Sequence, residues 1–151
     1  MITGIKHMAF AVRDAHASLE AYQRLLNVGH AAPVKDYAKS RTRTALLTAG
    51  EIEFQLCQSL DADGRFAAWI DERGGEGLHH ICFSVEDIED VIQQSVDNGA
   101  TLKECRACQI TGVHAHPEGY IAFLADQASG IEIEFMQVYK AGEGQAAQQG
   151  V

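Results

Sequence analysis

The 151-residue chain lacks any apolar run of the roughly 18 residues that a membrane-spanning helix requires. Its N-terminus also lacks a basic stretch followed by an apolar one, so the expectation is a cytoplasmic protein without a signal peptide. Positive charge is scarce: 12 Lys and Arg stand against 21 Asp and Glu, a formal charge of −9. That balance argues against non-specific nucleic-acid binding, which works through basic patches facing phosphates. The one local basic cluster is Lys35, Lys39, Arg41 and Arg43. It reads as a solvated strand edge, with a sharper alternative as a patch that meets an anionic substrate. Cysteine is sparse too, at four residues, and in the cytoplasm these are expected as reduced thiols. Cys105 and Cys108 form a C-x-x-C pair with no second half, which is weak ground for a metal or redox site.

What is present is the composition of a soluble globular domain, 46% hydrophobic and 22% charged, and an internal repeat. Residues 5–14 read IKHMAFAVRD and residues 78–87 read LHHICFSVED. Both begin with an aliphatic residue, carry histidine at the third position (His7 and His80), and end in Val-charged-Asp. Asp14 and Asp87 are good helix N-caps, because a carboxylate accepts from the free N–H groups of a first turn. Leu19, Tyr22, Leu25 and Leu26 follow the first at helical spacing, and Ile88, Val91, Ile92 and Val96 follow the second. Asn27 and Gly29 are expected to close one helix, and Asn98 and Gly99 the other. Each half ends in an alternating strand, EIEFQLCQ at 51–58 and IEIEFMQV at 131–138, preceded by an apolar one.

The expected fold is therefore α+β: two tandem β-α-β-β-β modules forming a curved, mostly antiparallel sheet around a cavity, with helices outside. Module one covers about 3–60, a short linker helix about 63–73, and module two about 76–139. Together they make a single domain over 1–139, since either half alone buries little core. Residues 140–151 have little to bury and read as a flexible tail.

Alternation divides the strand faces. Met8, Phe10 and Val12, like Ile81, Phe83 and Val85, are bulky and suited to the helices, and His79 falls on this face. The opposite faces carry His7, Ala9 and Ala11, and His80, Cys82 and Ser84. On the closing strands the polar faces are Glu51, Glu53, Gln55 and Cys57, and Glu132, Glu134 and Met136. A pseudo-twofold would join two imidazoles to two oxygen donors, Glu53 or Gln55 with Glu132 or Glu134. That donor set suits Mn²⁺, Fe²⁺, Co²⁺, Ni²⁺ or Zn²⁺.

This pattern resembles the vicinal oxygen chelate superfamily, which includes glyoxalase I, methylmalonyl-CoA epimerases, extradiol dioxygenases and fosfomycin-resistance enzymes. The stretch FAAWIDERGGEGLHHICFSVEDIEDV, residues 66–91, is most similar to the epimerases. The resemblance implies His7, Gln55, His80 and Glu134 as ligands of a divalent metal, with Glu134 also the catalytic base. It implies proton abstraction beside a carbonyl through a metal-stabilised enolate, a small-molecule substrate such as an acyl-CoA, and a homodimer. The alternatives are a glyoxalase-type lyase or another metal enzyme of the superfamily, and, further off, a metal-free binding or resistance protein. The chain departs from the epimerase pattern where Ala125-Asp126-Gln127 replaces His-Pro-Lys, and where Arg41-Thr42-Arg43-Thr44 offers no catalytic acid. His114-Ala115-His116-Pro117 lies outside the pattern and reads as a surface turn, or as a substrate contact or proton carrier.

Overall fold

In the computed structural model, residues 1–28 and 32–143 are described. The chain order is β1 (Ile2–Ala11), α1 (Ala15–Leu26), β2 (Ala32–Tyr37), β3 (Thr42–Ala49), β4 (Ile52–Ser59), α2 (Arg65–Arg73), β5 (Gly77–Val85), α3 (Ile88–Asp97), β6 (Leu102–Cys105), β7 (Ile110–Thr111), β8 (His114–His116), β9 (Gly119–Ala128) and β10 (Ile131–Val138). The fold is α+β and its strand pairs are mostly antiparallel, β1 with β4 being parallel. No helix among the described residues is long and apolar enough to cross a membrane. The chain divides into two compact units, His7–His80, and Met1–Lys6 with the chain from Ile81. The divisions fall inside β1 and β5, so each of these strands lends one segment to each unit.

In the His7–His80 unit the strands run in the order β2-β3-β4-β1. Asp14 caps α1, accepting from the Ala17 N–H at 3.0 Å, and Asn27 ends the helix in the left-handed conformation (φ 49°). Gly29 lies outside the described residues. The bulky strand face packs as expected: Val12, Ala15, Leu47 and Leu56 form a cluster with Phe10, Leu19, Tyr22 and Phe54. Leu25 and Leu26 do not join it and stay exposed, because the last turn of α1 lies outside the cluster. The small-residue face is not open. Ala9, Ala11 and Cys57 are covered by Phe66, Trp69 and Ile70 of α2, so the room left by the two alanines is filled by the chain's own linker helix. That helix starts at Arg65. Its N-cap, Gly64, has no side chain to offer, and the Ser59 hydroxyl accepts the Phe66 and Ala67 N–H groups instead (3.0 and 3.2 Å). A Cβ on Gly64 would sit 2.7 Å from that hydroxyl. Arg13 holds the other end of α2 through Asp71 at 2.8 Å.

In the second unit the order is β1-β5-β10-β9-β6-β7, with β8 added on β9. Thr3 reaches the Ser84 carbonyl and the Glu86 N–H reaches that of Met1, so the β1 and β5 segments run antiparallel. Asp87 caps α3 through the Asp90 N–H at 3.0 Å, and Gly99 (φ 93°) ends its closing turn. Val85, Ile88, Val91, Ile92, Ala122 and Phe135 form the helix-side cluster, while Val96 is exposed. Two strands were expected between α3 and the closing strand, and four are found. Positive φ at Gln109 and Gly112 reverses the chain twice and creates β7 and β8. The surface turn expected at 114–117 is thereby corrected: His114–His116 is a strand paired to β9, and His114 is buried. Residues 144–151 of the expected tail lie outside the described residues.

Candidate metal centre

The His7–His80 unit brings its two repeat-related histidines together. Both rings are buried, and their Nε2 atoms face each other at 3.3 Å with the planes 78° apart. His80 also meets His79, Nδ1 to Nδ1, at 2.8 Å. Each neutral imidazole has one donor and one acceptor nitrogen. If His80 Nδ1 donates to His79, His80 Nε2 keeps its lone pair on the side of His7. His79 is itself 1% exposed, stacked edgewise against Phe66 (4.8 Å between ring centres) and beside Trp69 (5.5 Å). The helix it packs against is α2.

The β1–β4 register pairs His7 with Glu53 and Ala9 with Gln55. Gln55 and Glu53 are half-buried, and the Gln55 amide donates to Glu53 Oε1 at 2.8 Å, which leaves the amide oxygen outside that bond. The adjoining face of β3 presents Thr44, Leu46 and Thr48 opposite Cys57, Gln55 and Glu53, with no acid among them. Two of the four residues of the basic cluster are paired with carboxylates. Arg43 forks onto Asp36 (2.7 and 2.9 Å), Arg41 onto Asp61 (3.0 and 2.7 Å), and Lys35 lies over the Tyr37 ring. The Arg43 fork draws the Asp36 carboxyl below its ordinary range, chiefly by hydrogen bonding, and the two forks favour the solvated-edge reading over an anion-greeting patch.

The second unit holds the fourth sequence-predicted residue. β9 and β10 slip register between Glu132 and Glu134, and the two carboxylates find different surroundings. Glu132 is paired with Lys103 at 2.6 Å. Glu134 is buried beside Cys82, whose thiol donates to it. Burial, then the Glu134 charge, pushes the Cys82 thiol far above the ordinary cysteine range, so it stays a neutral donor. Sequence reading placed Cys82 on the histidine face but gave it no role, and its position two residues after His80 was the available signal. A separate groove of about 460 Å³, lined by Thr3, Ser84, Glu86 and Lys140 among others, contains none of the predicted site residues.

Two buried imidazoles that face each other at 3.3 Å stand in an α+β chain with a repeated strand-helix-strands order. The chain belongs to the Glyoxalase/Bleomycin resistance protein/Dioxygenase superfamily, whose model matches residues 6–111. It is similar to an ethylmalonyl-CoA/methylmalonyl-CoA epimerase of Cereibacter sphaeroides, 27% identical over 117 residues, covering 78% of this chain and 86% of that protein. It is also similar to the human mitochondrial methylmalonyl-CoA epimerase, 27% identical over 86 residues, 56% of this chain and 47% of that one. Among solved structures it shares the fold of the methylmalonyl-CoA epimerase from Mycobacterium tuberculosis, with TM-score 0.75, 22% identity, and coverage of 92% and 90%. A Streptomyces coelicolor methylmalonyl-CoA epimerase in complex with 2-nitronate-propionyl-CoA has TM-score 0.70, 21% identity, and coverage of 93% and 100%.

Proposed function

We propose that this chain is a divalent-metal-dependent epimerase that removes and returns the proton beside the carbonyl of an acyl-CoA, methylmalonyl-CoA being the first candidate. The observation that carries the reading is the buried His7–His80 pair with its Nε2 atoms 3.3 Å apart, in a chain whose curated relatives are epimerases of such thioesters. Two imidazoles bonded to one ion at about 2.0–2.1 Å hold their nitrogens roughly 3.0–3.5 Å apart, so the pair fits a metal.

His7, Gln55, His80 and Glu134 would hold the ion, and two nitrogens with two oxygens suit Co²⁺, Ni²⁺, Mn²⁺, Zn²⁺ or Fe²⁺. When bound, the ion supplies Lewis acidity that stabilises negative charge developing beside the substrate carbonyl, an effect worth several kcal/mol. The chain's own residues do the rest. Glu134 takes the α-proton, and the Cys82 thiol steadies its carboxylate. His79 holds the His80 ring in orientation and tautomer from its packed position against α2. Glu53 fixes which way the Gln55 amide points.

Incubation of metal-loaded protein with methylmalonyl-CoA in D₂O is expected to place deuterium at the carbon between the two carbonyls. Full metal loading with no exchange there sinks the reading. A second reading is favoured by the acid-free face of β3. Returning a proton to the opposite side of one carbon calls for a second proton carrier, whereas a 1,2-shift needs a single base. A glyoxalase-type lyase is therefore the alternative, and turnover of methylglyoxal–glutathione hemithioacetal without thioester exchange would select it.

A further inference from the structure

Cys105, Cys108 and His114 take no part in the chemistry above, and we propose that they form a second metal site, a Cys₂His site for Zn²⁺. The two Sγ atoms and a ring nitrogen of His114 all lie within 4.8 Å of one another. The local chain explains the cluster. Between β6 and β7 the Gln109 N–H donates to the Cys105 carbonyl at 2.7 Å, and Gln109 takes φ 57°, so the turn folds Cys108 back towards Cys105. Gly112, at φ 87°, reverses the chain again and returns His114 to the same place.

His114 supplies the independent observation. It is 7% exposed, and its Nδ1 lies 2.8 Å from the Gly112 carbonyl oxygen. A carbonyl can only accept, so Nδ1 carries the proton and Nε2 presents a lone pair. That Nε2 is buried with no hydrogen-bond partner among the described residues. Leaving a buried acceptor unsatisfied is costly, and a bound ion would remove that cost. An imidazole held through one nitrogen by a backbone carbonyl, with the other nitrogen open, is the arrangement in which histidine ligates a metal.

The donor chemistry selects the ion. Two thiols and one imidazole favour Zn²⁺, unlike the nitrogen and oxygen set proposed around His7 and His80. Zn–S bonds of about 2.3 Å and Zn–N bonds of about 2.0–2.1 Å put tetrahedral donor pairs roughly 3.5–3.8 Å apart, so the three ligands need close by only about an ångström. Each thiol loses its proton to solvent as its sulfur bonds the metal, and water takes the fourth position. Cys105 sits in an apolar cluster with Cys82, Ile121 and Met136, which shields one side of the site. Bound zinc would staple the β6–β7 hairpin to β8.

The test is a Co²⁺ titration of the metal-free, fully reduced protein, read by the sulfur-to-cobalt charge-transfer band in the near ultraviolet. In a His80→Ala background, where the other centre is removed, one equivalent is expected to saturate the band and Zn²⁺ to abolish it. His114→Ala should weaken the binding that produces the band by at least about tenfold. Cys108→Ser, a near-isosteric change at a half-buried position, should remove the band while circular dichroism stays unchanged. His80→Ala should keep it, which separates this site from the His7–His80 centre. Cobalt binding without a thiolate band, or a band that survives Cys108→Ser, overturns the proposal. So does recovery of Cys105 and Cys108 as a disulfide from protein purified under reducing conditions, which would make them a redox pair.

Discussion

His79 and His80 are adjacent in sequence and their rings touch, yet each has its own surroundings. His80 turns its Nε2 towards His7, while His79 stands in the aromatic wall of α2. His80→Ala is expected to abolish metal binding at the proposed centre with the fold retained. His79→Ala should cost roughly 2–4 kcal/mol of stability, the scale of truncating a buried ring. It should also loosen the metal about ten- to a hundredfold, since it removes the partner that orients a ligand. Metal analysis and urea unfolding of both variants in a Cys108→Ser background would check this. Equal metal loss in the two would mean that the strand faces have been assigned the wrong way round. The contrast between the neighbours was legible from the repeat, which gives only His80 a counterpart. The His79–His80 hydrogen bond was not, because it depends on two ring orientations that spacing does not encode.

At the scale of elements, the helix caps and apolar faces follow local rules. Asp14 and Asp87 each accept an N–H from the first helical turn. The closing strand β10 relies on a less visible constraint. Gly119 begins β9 opposite Val138, and a Cβ there would run into the Gln137 carbonyl. Gly119→Ala should therefore displace the backbone of β10 rather than a flexible side chain, at a cost of about 2–3 kcal/mol on the scale of overpacking. Urea unfolding measures it, and a loss below about 0.5 kcal/mol, the range of ordinary surface changes, would show that the strands part easily. The linker helix taught the opposite lesson. Its residues 66–70 were readable as helical from sequence, but their cover of Ala9 and Ala11 was not, since no local pattern states which helix fills a small-residue face.

At the scale of the whole molecule, a ligand that binds only the folded chain adds stability in proportion to the logarithm of its saturation, about 2.7 kcal/mol at a hundred times its dissociation constant. Stripping metal from Cys108→Ser protein should lower its melting temperature, and Co²⁺ or Mn²⁺ should restore it. Insensitivity to metal in that background, with His7 and His80 intact, would count against the centre proposed at these residues.

By itself the sequence determined the α+β class, the repeated strand-helix order, the caps and the candidate donors, because periodicity, capping and turn chemistry act over a few residues. The tertiary structure decided the rest. It set Glu132 against Lys103 and Glu134 beside Cys82 through a slip in strand register. It filled the face of Ala9 and Ala11 with α2, and it gathered Cys105, Cys108 and His114 by two backbone reversals. A register slip, a packing partner and a chain reversal each join residues that are neighbours in space, and a one-dimensional pattern carries no term for them.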